Sequence, residues 1–141
     1  MEKHNQLVLV AVDGSEQSYN AVHQAIKITD SSKDKIIILM VKDIRKYYGI
    51  SNAGSEEIPA LDRITKSVLI KAARLIPKGI EFETKEVIGN SKHKIVDFSK
   101  EKNIDTIVMG ATGKDFFDQL LLGSTTRYVI DHAWCNVLIV K

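Results

Sequence analysis

Four short runs rich in Ile, Val and Leu constrain this chain more than any other feature: Leu7–Val12 (LVLVAV), Lys35–Val41 (KIIILMV), Asp105–Gly110 (DTIVMG) and Asn136–Lys141 (NVLIVK). None alternates apolar with polar residues, so each suits a strand covered on both faces, the pattern of a parallel sheet. A fifth run, Ile80–Val87 (IEFETKEV), does alternate and reads as a half-exposed strand. Between the runs the period changes to that of a helix. Ala21, Val22, Ala25 and Ile26 share one face, as do Leu61, Ile64, Val68, Ala72 and Leu75, and later Val129, Ile130 and Ala133. A weaker segment from Ser91 to Lys102 would bury Ile95 and Phe98. Pro59 suits a helix first turn, and Pro77-Lys78-Gly79 stops that helix. The order β-α-β-α-β-α-β-α-β predicts an α/β fold, a mainly parallel sheet joined by right-handed crossovers.

At 141 residues the chain is most simply one domain with a sizeable core, spanning residues 1–141. Its net charge of +2 is too slight for a nucleic-acid footprint. The longest apolar run, IIILMV, is far too short to span a bilayer, and the polar start MEKHNQ lacks a secretory apolar segment. Cys135 is the only cysteine, so no intrachain disulfide forms and the expected location is the cytoplasm. Cys135 itself reads as a small buried apolar residue. His4, His23, His93 and His132 have no mutual spacing that builds a zinc site, and His132 suits a helix C-terminus.

Ligands of such folds bind beyond the carboxyl ends of the strands, where the strand order reverses. Two elements fall there. Asp13-Gly14-Ser15 follows the first run: Asp13 either bonds a donor edge of a ligand or simply starts a helix capped by Ser15. The stretch GATGKDFFDQLLLGSTT, residues 110–126, follows the fourth. Gly110 and Gly113 would let main chain turn against a ligand, and Gly123-Ser124-Thr125 would open a helix whose N–H groups favour phosphate oxygens. The competing reading is a surface loop with a capped helix. Neither G-x-x-x-x-G-K-[ST] nor G-x-G-x-x-G occurs, which argues against a P-loop NTPase or a conventional dinucleotide enzyme. The irregular stretch Lys42 to Ile58 is long for a compact domain; its Arg45, Lys46, Tyr47 and Tyr48 either cover a ligand or lie in solvent. Phe116, Phe117 and Leu120 to Leu122 read as packing residues.

VDGSEQS (Val12 to Ser18), DTIVMG running into G-x2-G-x9-G-S (Gly110, Gly113, Gly123, Ser124) and the closing AWCNVLIV together resemble the universal stress protein family, from Leu7 to Val140. In that family the glycine pattern marks the ATP-binding branch. The resemblance implies a Rossmann-like five-stranded sheet, order 3-2-1-4-5, with helices on both faces and a nucleotide across the crevice between strands 1 and 4. Val12 and Asp13 would then border the adenosine, Val41 would meet adenine through its main chain, and Met109 and Gly110 would lie by the ribose. Gly113, Gly123, Ser124 and Thr125 would hold phosphates. Lys114 falls where a basic residue is common, and Asn136 replaces a frequent proline remote from the site.

The implied function is an ATP-binding regulatory, stress-response module with slow or no hydrolysis, because no residue of the glycine loop looks like an activated base or nucleophile. Mg²⁺ would accompany ATP on its phosphates. The main alternative is an adenylating ATP-pyrophosphatase-type enzyme, but VDGSEQS lacks the second glycine and the aspartate of the S-G-G-x-D-S-like loop. A member binding AMP, cyclic AMP or no nucleotide is the other. With the implied order the third and fifth strands are the edges. The third carries Glu81, Glu83, Lys85 and Glu86, whereas the fifth has no charge until Lys141. A homodimer pairing Val137–Val140 antiparallel with its own copy is the expected cover.

Overall fold

The computed structural model describes residues 5–43, 57–112 and 122–141. Nine elements follow in order: β1 (Leu7–Ala11), α1 (Glu16–Ile28), β2 (Lys35–Lys42), α2 (Glu57–Arg74), β3 (Glu81–Ile88), α3 (Ser91–Glu101), β4 (Thr106–Gly110), α4 (Ser124–His132) and β5 (Asn136–Val140). All five strands pair parallel in the order β3-β2-β1-β4-β5. The apolar runs therefore form strands as their composition implies, and β4, buried at every one of its residues, is the most enclosed.

Alternation along the strands divides the core in two. Val8, Val10, Ile36 and Ile38 face α1 and α2, where they meet Ala21, Val22, Val68 and Ala72. Leu9, Ile37, Leu39 and Ile107 face the other way, onto Ile95 and Phe98 of α3 and Val129 of α4. Burying a side chain of this kind stabilises by about 1.5–3 kcal/mol, so the sheet is held from both faces. At the amino end of the sheet two carboxylates bind main chain. Asp34 accepts from Gln6 N (3.0 Å) and Asp30 N (2.8 Å), and Asp105 accepts from Leu7 N (2.8 Å).

Three expectations need correction. The helical period puts Ile64 on the buried face of α2, but it is 44% exposed, and Thr65 is fully buried instead. Its hydroxyl donates to Leu61 O at 2.9 Å, which removes the usual cost of burying it. Ile130 is 42% exposed, because α4 turns only a narrow stripe, with Val129 at its centre, to the core. β3 is more exposed than half: as an edge strand it leaves even Phe82 and Ile88 open. The segment 44–56, with Arg45, Lys46, Tyr47 and Tyr48, lies outside the described residues, as do Phe116, Phe117, Leu120 and Leu121.

Candidate functional site

The carboxyl ends of β1, β2 and β4 open into a cleft of about 480 Å³, within the usual range for small-molecule sites. It lies where the order reverses, since the chain leaves β1 toward β2 on one side and β4 occupies the other. Val12 and Asp13 line it from the end of β1, Val41 from β2, Met109 and Gly110 from β4, and Gly123, Ser124 and Thr125 from the start of α4. Gly113, the remaining candidate, and Lys114 lie outside the described residues.

Asp13 serves the turn as well as the cleft. Its Oδ1 accepts from Ser15 N at 2.9 Å, and Ser15 Oγ accepts from Ser18 N at 3.1 Å, capping α1. Gly14 between them has φ of +88°, a conformation that favours glycine, and an added Cβ would also press on Val68 Cγ2 at 3.1 Å. The helix-start and cleft-lining readings of Asp13 thus describe one arrangement.

α4 begins differently from α1. Its N-cap, Gly123, has no side chain with which to cap the first turn, whereas Ser15 does so for α1. The turn is fixed from below instead. Gly123 N donates to Ala111 O (2.9 Å), Ala111 N to Val140 O (2.8 Å) and Thr126 Oγ1 to Gly110 O (3.0 Å). The positive end of a helix dipole, not capped by its own N-cap side chain, is therefore held rigidly at the cleft wall, a setting that favours an anion.

Several residues here escaped the sequence reading. Gln17 Oε1 accepts from both Thr112 N (3.0 Å) and Thr112 Oγ1 (2.9 Å), tying α1 to the residue two beyond β4. A Cβ on Gly110 would lie 3.0 Å from Gln17 Cβ, so this glycine serves the close approach of α1 to β4. Ser91, at the start of α3, also lines the cleft.

From sequence Lys42 opens the irregular stretch. It is instead the last residue of β2, with a side chain only 8% exposed, paired with Asp62 of α2 and with Glu86 of β3 at 3.1 Å. The hydrogen bond to Asp62 raises the Lys42 pKa, and the same bond lowers that of Asp62. Strand parity held the signal: Lys42 follows Ile36, Ile38 and Met40 on the α2 side.

Among the described residues no group of three or more His, Cys, Asp and Glu is placed to hold a metal, and no helix is long and apolar enough to cross a membrane. Cys135, expected to be buried, is only partly so, packed against the α3–α4 side of the core; desolvation there still pushes its thiol up, which disfavours the thiolate. His132 stacks on Tyr128 at 3.9 Å with its Nδ1 2.8 Å from Tyr128 O, at the end of α4 as its position suggested.

Comparison with known proteins bears on the fold and the family. The Universal stress protein family pattern matches residues 4–141. Universal stress protein MJ0531 of Methanocaldococcus jannaschii is 32% identical over 139 residues, covering 95% of this chain and 81% of that protein. The structure of hypothetical protein MJ0577 superposes with a TM-score of 0.85 at 24% identity, over 99% of this chain and 97% of the other, and so bears on the fold. A universal stress protein solved in complex with cAMP superposes with a TM-score of 0.73 at 26% identity, over 99% of both chains. Fold, sequence and family pattern coincide over essentially the whole length, and the chain belongs to the universal stress protein family.

Proposed function

We propose that this protein is an ATP-binding regulatory module, holding the nucleotide across the cleft between β1 and β4. The observation that carries the reading is the α4 N-terminus, which reaches the cleft at Gly123 without a capping side chain, in a cleft that Val12 and Asp13 also line. Adenosine would lie by Val12, Asp13 and the main chain of Val41, with the ribose by Met109 and Gly110. The phosphates would meet main-chain N–H groups of Gly123, Ser124 and Thr125, with Gly113 from the adjoining segment. Mg²⁺ would ride on the phosphates. The hydroxyls and amides at this wall bind and orient; none is an activated base, so hydrolysis by the isolated protein is slow or absent.

Cyclic AMP is the second reading, favoured by the relative that was solved with it. The edge position of β5, with Val137, Leu138 and Ile139 only half buried, supports a homodimer in which two copies pair these strands about a twofold axis.

Native mass spectrometry of the purified protein, followed by thermal shift with ATP, GTP, AMP and cyclic AMP, tests the assignment. ATP at about 100 times its Kd adds about 2.7 kcal/mol of stability. A larger shift with cyclic AMP than with ATP favours the second reading, and no shift with any adenine nucleotide rejects both.

A further inference from the structure

We infer that Gln17 is the positioning residue for the phosphate end of the cleft, and that through Thr112 it sets the preference for phosphorylated over unphosphorylated adenosine. The inference rests on the nucleotide reading above. Gln17 does not line the cleft; Thr112, which it holds, does. One side-chain oxygen accepts two donors from one residue, at 3.0 and 2.9 Å, across 95 positions of sequence. Such a paired contact fixes both the peptide plane and the hydroxyl rotor of Thr112, which a single bond would not.

The surroundings show that this contact completes a clamp. Gly110 lets the first turn of α1 approach to where its own Cβ would stand 3.0 Å from Gln17 Cβ. On the far side Thr126 Oγ1 holds Gly110 O, and Gly123 N holds Ala111 O. Three successive residues, Gly110, Ala111 and Thr112, are thus each tied to a helix start, the first two to that of α4 and the third to that of α1. α1 supports the wall, α4 presents the anion-binding end, and Gln17 is the side chain by which the first is bonded to the second's base. Loosening Thr112 leaves Val12, Asp13 and Val41 where they are, so the adenosine half is untouched while the phosphate half loses its fixed geometry.

The test compares wild type, Gln17→Met and Gln17→Glu. Methionine keeps the length without accepting a strong hydrogen bond; glutamate keeps the acceptor and adds a charge. ATP, AMP and adenosine are titrated by calorimetry at low and high salt, and the Thr112 amide is followed by hydrogen exchange in the nucleotide-free protein. Gln17→Met is expected to bind ATP about five- to tenfold more weakly, the scale of a lost hydrogen bond, with adenosine affinity within about twofold of wild type. Its Thr112 amide exchanges faster, and salt does not repair the loss. Gln17→Glu keeps Thr112 protected and regains most of the ATP affinity when salt screens its charge. A Gln17→Met protein that binds ATP as wild type does, or loses adenosine and ATP equally, overturns the inference alone. Wild-type protein that binds no adenine nucleotide overturns the reading on which it rests, and the inference with it.

Discussion

Replacing Gly110 with alanine tests whether the junction of α1, β4 and α4 is as tight as the geometry indicates. The new methyl would meet Gln17 Cβ at 3.0 Å, Thr112 O at 3.3 Å and Gln17 C at 3.4 Å. Carbon atoms pack best at about 3.5–4.0 Å, so the first contact is at least half an ångström too close. Two of the three obstacles are backbone atoms, and the third is the root of a side chain, so no rotamer change relieves them. The first turn of α1 must retreat, against a helix that packs Ala21, Val22 and Ala25 into the core. Overpacking of this kind costs about 1–3 kcal/mol. Alanine also narrows the unfolded ensemble, which offsets about 0.4–1 kcal/mol and leaves a net loss near 1–2 kcal/mol. For a domain of this size the melting temperature should fall by about 3–8 °C. Calorimetric melting and urea titration measure both quantities, and the slope of the urea transition should be unchanged. Gly79→Ala is the control: φ is +98° but nothing lies within 4 Å, so its cost is conformational and Asn recovers part of it. A Gly110→Ala protein as stable as wild type would refute the close approach, and with it the reach of Gln17 to Thr112.

The Lys42 group should respond asymmetrically: Lys42→Met is expected to change stability by no more than about 1 kcal/mol, because both carboxylates reach water, while the double change Asp62→Asn, Glu86→Gln keeps the acceptor oxygens but removes both counter-charges from a side chain only 8% exposed, and is expected to destabilise more than Lys42→Met does. The lowered Asp62 pKa contributes stability that is present above about pH 3.8 and lost as pH falls through the folded value; the raised Lys42 pKa contributes below pH 10.5 and is lost as pH rises through its own, so stability relative to Lys42→Met, followed by denaturation across pH, should decline at both ends. Equal effects of the two replacements would sink this account. Gly123→Val is expected to lower ATP affinity more than tenfold, about 1.4 kcal/mol, with a native circular dichroism spectrum; normal binding would remove α4 from the site. Sedimentation at micromolar concentration should give twice the 15.8 kDa chain mass, and Val137→Lys should shift it toward monomer or aggregate, whereas a wild-type monomer at high concentration would reject the β5 pairing.

What could be read from the chain by itself was whatever one segment carries. Leu7–Ala11, Lys35–Lys42 and Thr106–Gly110 are strands because β-branched side chains crowd each run, and turn chemistry at Gly14 and Gly79 ends the neighbouring elements. Eight candidate positions line the cleft: Gly110, Gly123, Ser124 and Thr125 were legible as glycines and hydroxyls in one short stretch and Asp13 as a carboxylate after the first run, whereas Val12, Val41 and Met109 were named from family resemblance. The order of the strands came from family resemblance, since any βαβ pattern permits several. Tertiary structure decided the rest. Whether Ile64 or Thr65 faces the sheet depends on where α2 lies over β2, and a hydroxyl that bonds to its own helix at Leu61 O removes the penalty that polarity alone would predict. Lys42 is buried because Asp62 and Glu86, 20 and 44 positions later, arrive beside it. Gln17 looks like any helix-surface residue until β4 ends against it and Thr112 turns its amide and hydroxyl to the same oxygen. Local sequence sets backbone period and turn, but a polar side chain's partner is chosen by chain segments far away, and so only the assembled sheet reveals it.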